Sequence, residues 1–287
     1  MKIHLTTLIL LFFIISCKNK DYEPVISDLP YKEIKDTSYS DGPRHKMDIY
    51  LPANRNIETK TLIAIHGGAW VSGDKSDLNV MIKNIQKIEP NIAIININYR
   101  LVNGSSVFLQ DQINDIIKAV NFIKSNSSKL SISNKFAIAG ASSGAHLAMM
   151  YAFKYDDSKN IKVVGNYFGP TRLDSKDWYD SYTLGLFIQT KDLLYPLFGK
   201  PWDESLYSSY SPYSIVNNIN GKPTISFHGA LDPIVPKDHS KDLNAKLKQL
   251  SIPSEYYEYT ESFHELNNND LADSYPKLLK FINANWR

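Results

Sequence analysis

The chain lacks most of what would mark it as a specialised binding protein. One cysteine in 287 residues excludes an intrachain disulfide, and no cysteine–histidine cluster of the zinc-holding kind is present. Neither sign of charge is in surplus. With 32 basic against 30 acidic residues the formal charge is +2, which gives no electrostatic footprint for nucleic acid. No internal repeat or low-complexity tract is found. Long apolar runs are missing too, apart from residues 5–15, and that run is shorter than the ~20 residues that span a bilayer. What remains is 43% hydrophobic, enough to bury a substantial core. Length and composition fit a soluble globular enzyme or binding domain, either one large domain or one domain plus an insertion.

The opening "MKIHLTTLILLFFIISCKNK" places Lys2 before the apolar run and Ser16-Cys17 directly after it, the layout of a signal peptide. Ile14-Ile15-Ser16-Cys17 resembles the lipobox of bacterial lipoproteins. That resemblance implies cleavage after residue 16, lipidation of Cys17, a polar tether over 17–30, and a place in the bacterial cell envelope, at the outer membrane or surface. The plainer alternative is an ordinary secretory signal with an incidental cysteine. The folded domain is expected over 31–287.

Within that domain Met47, Ile49 and Leu51 alternate, predicting an opening antiparallel pair around Asp41-Gly42-Pro43. The rhythm then changes. "TLIAIH", "NIAIININ", "KFAIAGA", "KVVGNYFG", "PTISFHG" and "SEYYEYT" are short apolar or β-rich runs separated by longer segments. Among the latter, Leu109, Ile113, Ile116, Val120 and Ile123 share one helical face. Continuously apolar strands alternating with helices predict an α/β fold, a mostly parallel central sheet covered on both faces. The interval 171–222 shows no strand and is crowded with aromatics, so it is expected to be a lid-like insertion.

Two stretches carry chemistry. In "LIAIHGGAWVSGDKS" (62–76) an apolar strand ends in adjacent glycines, which weaken packing unless something uses the bare backbone. In "KFAIAGASSGAHLAMM", Gly140-Ala141-Ser142-Ser143-Gly144 is a G-x-S-x-G at a predicted strand-to-helix junction, where a sharp turn exposes a nucleophilic serine. Ser143 would offer a backbone N–H at the helix start, a position that favours negative charge. With both motifs in order, the sequence resembles the α/β-hydrolase superfamily, and within it the carboxylesterase-like branch with an HGGxW motif, here His66-Gly67-Gly68-Ala69-Trp70. The resemblance runs from about Lys46 to the C-terminus and includes "MDIYLP", "NYRL" and "SPYSIV". It implies an oxyanion hole from the amides of Gly68 and Ala69, with Ser143 as third donor.

A serine nucleophile needs a base, and the base an orienting acid. Of the seven histidines, His4 lies in the signal segment, His45 in the opening hairpin and His66 in the glycine motif. His146 lies four residues past Ser142 and is the local competitor, though its helix directs it away from the turn. His228 reads as a packed strand-end residue and His239 as part of the next helix. The chain order Ser…Asp…His of the resembled fold selects His264 in "YTESFHELN", with Asp232 of "ISFHGALDPIVP" as the acid and Asp238 as fallback. Three departures from the family pattern stand out: Ala69 replaces a third glycine, Tyr99-Arg100-Leu101 lacks a Pro-Glu continuation, and no glycine precedes His264.

The resemblance therefore implies a serine esterase using Ser142, Asp232 and His264, with no cofactor or metal and no nucleic-acid partner. Its substrates are expected to be small-molecule or carbohydrate esters such as acetyl or feruloyl groups, with the membrane reached through Cys17. The aromatics of the insertion either reach the substrate, Trp178 and Trp202 first, or only pack a small core within the lid. The rival readings are an arylformamidase-like amide hydrolase and a surface binding protein on an inactive hydrolase scaffold.

Overall fold

A computed structural model of the chain describes residues 27–183 and 188–286. The expected signal peptide and Cys17 lie outside the described residues. The strands and helices follow the predicted alternation: β1 Lys32–Ser38, β2 Lys46–Leu51, β3 Thr61–Ile65, α1 Asn79–Ile88, β4 Ala93–Ile97, α2 Leu109–Leu130, β5 Phe136–Ala141, α3 Ser143–Met150 and β6 Ile161–Tyr167. Next come the short elements of the insertion, α4 Lys176–Asp180, β7 Tyr182–Thr183, β8 Ile188–Gln189, α5 Thr190–Phe198, α6 Glu204–Ser208 and α7 Pro212–Ile215. The chain closes with β9 Thr224–Gly229, α8 Asp238–Gln249, β10 Ser254–Tyr259 and α9 Asn268–Asn285.

Among the described residues eight strands form one sheet in the order β1-β2-β4-β3-β5-β6-β9-β10. β1, β2 and β4 pair antiparallel, and from β4 to β10 every pairing is parallel. The central strands are buried on both faces because alternate side chains enter different cores. Ile63 and Ile65 of β3 join a cluster with α2, α3 and α8, while Leu62 and Ala64 join one with α1 and α9. Strand–helix crossovers of this kind bring the loops after the parallel strands to one edge. No helix among the described residues is long and apolar enough to cross a membrane.

The insertion departs from expectation in one detail: Tyr182–Thr183 pairs antiparallel with Ile188–Gln189. Its other described elements are short helices, and rings hold it together. Tyr207 is fully buried and meets Tyr179, Phe198 and Trp202 with centroids 4.5–5.6 Å apart. Such contacts each add a fraction of a kcal/mol or more beyond burial, and they give this segment a small core of its own.

Candidate active site

The site begins where β5 stops. Ser142 adopts φ 51°, ψ −122° between the last residue of β5 and the first of α3, a conformation L-residues rarely hold without compensation. Its N–H donates to Tyr167 O at 2.8 Å, and its carbonyl accepts from Ala145 and His146. The flanking glycines make the turn possible. A Cβ on Gly140 would lie 2.4 Å from the backbone of Gly144, and one on Gly144 would lie 2.2 Å from His66 O. The local sequence thus forces the serine out at the strand end.

Two loops from distant parts of the chain meet it there. His264 follows β10, and its Nε2 lies 2.9 Å from Ser142 Oγ. Its Nδ1 lies 2.7 Å from Asp232 Oδ2, on the loop after β9. Asp232 Oδ1 accepts from the amides of Ile234 and Val235 at 2.8 and 2.9 Å. Burial pushes the Asp232 carboxyl pKa up, but hydrogen bonds from His228 and His264 outweigh it and hold the group well below the usual carboxylate range. The side chain is therefore an anion aimed at His264. Asp238 only opens α8. The missing glycine before His264 has a structural counterpart: a Cβ on Gly229 would meet Phe263 O at 2.1 Å. The close approach is permitted from the β9 side, and Phe263 points outward.

The glycine loop is fixed as tightly. Gly68, Ala69 and Trp70 all have positive φ (116°, 51° and 64°). Gly67 O is held by His66 Nδ1 at 2.7 Å, and Gly68 O accepts from the amides of Val71 and Ser72 and from Ser72 Oγ. Because a trans peptide directs its N–H opposite to its C=O, those bonds turn the amides of Gly68 and Ala69 the other way. Neither they nor the Ser143 N–H donate to a protein acceptor among the described residues. Gly68 and Ala69 line the same cavity as Ser142 and His264, whereas Ser143 sits just beneath, at the start of α3. Arg44 braces the loop from the β1–β2 turn, donating to Gly73 O and Tyr99 O at 2.8 Å. Burial pushes the His66 pKa down, which suits an Nε2 facing the Arg44 guanidinium at 3.4 Å. The Tyr99-Arg100-Leu101 loop is tied to α2, where Arg100 grips Asp115 through two 2.8 Å contacts.

The remaining histidines are occupied elsewhere. His146 bonds Tyr210 O through Nε2 at 2.8 Å and accepts from Trp70 Nε1, and burial pushes its pKa down to about 4. It couples the glycine loop to the insertion and does not face Ser142. His239 accepts from Thr171 N, and burial pushes its pKa down to about 3. His228 is buried as expected, but it also contacts Asp232 Oδ2 at 3.0 Å. Its only sequence signal was the four-residue spacing to Asp232 across a strand-end turn.

A cavity of about 720 Å³ opens over these groups. Its apolar lining comes from Trp178 and Leu193 of the insertion, from Pro170 and Ile234, from Leu78 and Met81 at the start of α1, and from Leu271 and Tyr275 of α9. Trp178 is fixed by its Nε1 bond to Ile234 O at 3.1 Å. Trp202, expected beside it, does not line the cavity and packs on Tyr179 and Tyr207 instead. Stacking within the insertion satisfies that indole, so it has no reason to turn outward. Asp77 and Glu265 also line the cavity, and no lysine or arginine does among the described residues. No group of three or more His, Cys, Asp or Glu side chains among them is arranged to hold a metal ion. The arrangement can deprotonate a hydroxyl and receive an oxyanion on backbone donors.

A family model described as BD-FAE matches residues 47–247. Isoprenylcysteine alpha-carbonyl methylesterase of Arabidopsis thaliana is 26% identical over 244 residues, 79% of this chain and 55% of that protein. The chain thus spans about half the length of that curated relative. Among solved structures, a bifunctional GH43-CE protein of Bacteroides eggerthii superposes with TM-score 0.70 at 23% identity, covering 87% of this chain and 38% of that one. A truncated carbohydrate esterase from gut microbiota superposes with TM-score 0.71 at 19% identity, covering 88% and 97%. The fold is that of the α/β-hydrolases.

Proposed function

The chain belongs to the BD-FAE family, and from that premise we propose that it hydrolyses carboxylic esters through a serine-bound acyl intermediate. Ser142 Oγ attacks the ester carbonyl as its proton passes to His264 Nε2. The carbonyl oxygen, now an anion, rests on the amides of Gly68, Ala69 and Ser143. Collapse breaks the bond to the alcohol, which leaves with the proton from His264. Water then repeats the sequence on the acyl-serine and returns the carboxylic acid. The observation that carries this reading is the unbroken contact series Ser142–His264–Asp232 at the mouth of a cavity. The same series argues against an inactive binding scaffold, which needs none of these groups in register.

The substrates we assign are acyl or feruloyl esters of carbohydrates. Support comes from the cavity's breadth, the rings of Trp178 and Tyr275 in its walls, and its charge. With Asp77 and Glu265 as its only charged lining groups among the described residues, it favours neutral esters over acidic ones. Two relatives carry compatible names, one a methylesterase and one a carbohydrate esterase. We also place the protein in the envelope, lipidated at Cys17.

The test is a fluorophosphonate probe followed by a substrate panel. Labelling at Ser142 with turnover of p-nitrophenyl acetate and of acetylated or feruloylated sugars supports the reading. Labelling with turnover confined to an aryl formamide would move the assignment to an amide hydrolase. Absence of both would leave a binding scaffold.

A further inference from the structure

We propose that His228 is a positioning residue for the triad, a second N–H donor to Asp232 whose proton is placed by a buried hydrogen-bond chain starting at Asn166. This rests on the serine-hydrolase reading above.

The bond directions follow from the two ends of the chain, a backbone N–H that can only donate and two oxygens that can only accept. Gly169 N–H, which can only donate, gives its proton to Asn166 Oδ1 at 2.9 Å. Asn166 Nδ2 must then be the donor side, and it faces Ser226 Oγ at 3.1 Å and Ser240 Oγ at 3.0 Å. His228 Nε2 faces only acceptors, Val235 O at 2.9 Å and Asp232 Oδ2 at 3.0 Å, so it carries a proton. Nδ1 is then left to accept from Ser240 Oγ, 2.8 Å away, whose lone pairs take the Asn166 donor. Asn166, Ser226, His228 and Ser240 are all essentially inaccessible to solvent, so water does not compete for these bonds.

The consequence falls on His264. Asp232 Oδ2 accepts from both imidazoles, while Oδ1 accepts from two backbone amides. A carboxylate oxygen shared between two donors offers less charge to either one. The oxygen that orients His264 is thus shared, and what it offers the imidazole after proton transfer from Ser142 depends on the His228 proton. The other groups that face this pair do not mimic the effect. His239 is kept neutral by burial, Arg172 is paired with Asp242 at 3.0 Å, and Asp77 and Glu265 lie on the cavity side.

The experiment is the pH dependence of kcat/KM for p-nitrophenyl acetate, on the full chain, between about pH 5 and 9. His228→Leu is expected to move the acid limb upward by about half to one pH unit, while KM at the alkaline end changes less than about twofold. His228→Gln, whose amide can still donate, should bring the limb back. Ser240→Ala, a small change less prone to misfolding, should move it in the same direction by less. A limb that stays in place in Ser240→Ala and in any folded His228→Leu, with only the melting temperature lowered, overturns the proposal. Ring ¹⁵N shifts of His228 at neutral pH read the tautomer without turnover, and a proton on Nδ1 would also overturn it. Failure of the wild type to label at Ser142 or to cleave any ester sinks the hydrolase reading instead, and the tautomer measurement still stands.

Discussion

At the carboxyl edge of the parallel strands each polar group of the triad has a fixed partner, whereas the insertion beside it is held by rings. Ser142, Asp232 and His264 each follow a different strand, and their positions come from backbone geometry: a strained φ, paired amides, glycines where chains touch. The insertion has helices of four to nine residues and draws its cohesion from Tyr179, Phe198, Trp202 and Tyr207. Among the described residues it contributes Trp178 and Leu193 to the apolar lining over the triad. The reacting groups are thus set by backbone geometry, while the insertion supplies apolar lining and meets the glycine loop through His146.

The sharpest way to break this division is at the nucleophile. Ser142→Ala should lower turnover by on the order of 10³-fold or more with little change in melting temperature, and His264→Ala should match it. His239→Ala should do the reverse, because its Nδ1 ties Thr171 and its ring meets Trp178 edge-on: most activity kept, melting temperature lowered. Exchange of those two outcomes would reject His264 as base. Gly68→Ala comes next, at about 10²-fold in kcat, since its Cβ would lie 2.2 Å from Ser72 O at a φ of +116°. Near wild-type kcat in that variant would remove the glycine loop from the mechanism.

Smaller effects sharpen the comparison inside the insertion. Trp178→Ala should reorder short-chain, long-chain and feruloyl esters by about 1–3 kcal/mol in kcat/KM ratios. Trp202→Ala should lower the melting temperature and leave the ranking alone; a changed ranking would show that the ring cluster also shapes the pocket. Least of all, Asp74 tests the sheet edge by pH. Burial pushes its pKa up, but hydrogen bonds from Ser76 and Asn98 outweigh it and bring the carboxyl down to about 2. Its stabilisation is therefore complete above the ordinary carboxylate value near 4 and fades as pH falls toward 2. The melting-temperature gap between wild type and Asp74→Asn should close over that window, and a gap independent of pH would contradict it.

Much of this was legible in the chain. Strand runs such as "TLIAIH" and "KFAIAGA" announce themselves because a strand buried on both faces leaves no polar alternation to obscure. Ser142 and the glycine loop were readable because their backbone geometry demands particular small residues. His264 and Asp232 needed the family's chain order, since nothing local distinguishes them from other loop residues. What stayed hidden depends on tertiary neighbours. His228 reads as packing in the sequence because its partner Ser240 is held by Asn166, 74 residues away. Trp178 lies in α4 and Trp202 in the loop before α6, and no periodicity records which of them reaches the cavity.

The way the chain enters the sheet bears on what the cleft meets. Lys32 pairs with Leu51, level with the amino ends of the parallel strands, and Leu29 and Pro30 are tied there by Asn54 and Arg55. Ser142 sits past the opposite end. Nine residues lie between Cys17 and Ser27, a span of at most about 35 Å. On the lipidation proposed at Cys17, the attachment would enter at the end of the sheet opposite Ser142, so the mouth of the cleft would face away from the membrane.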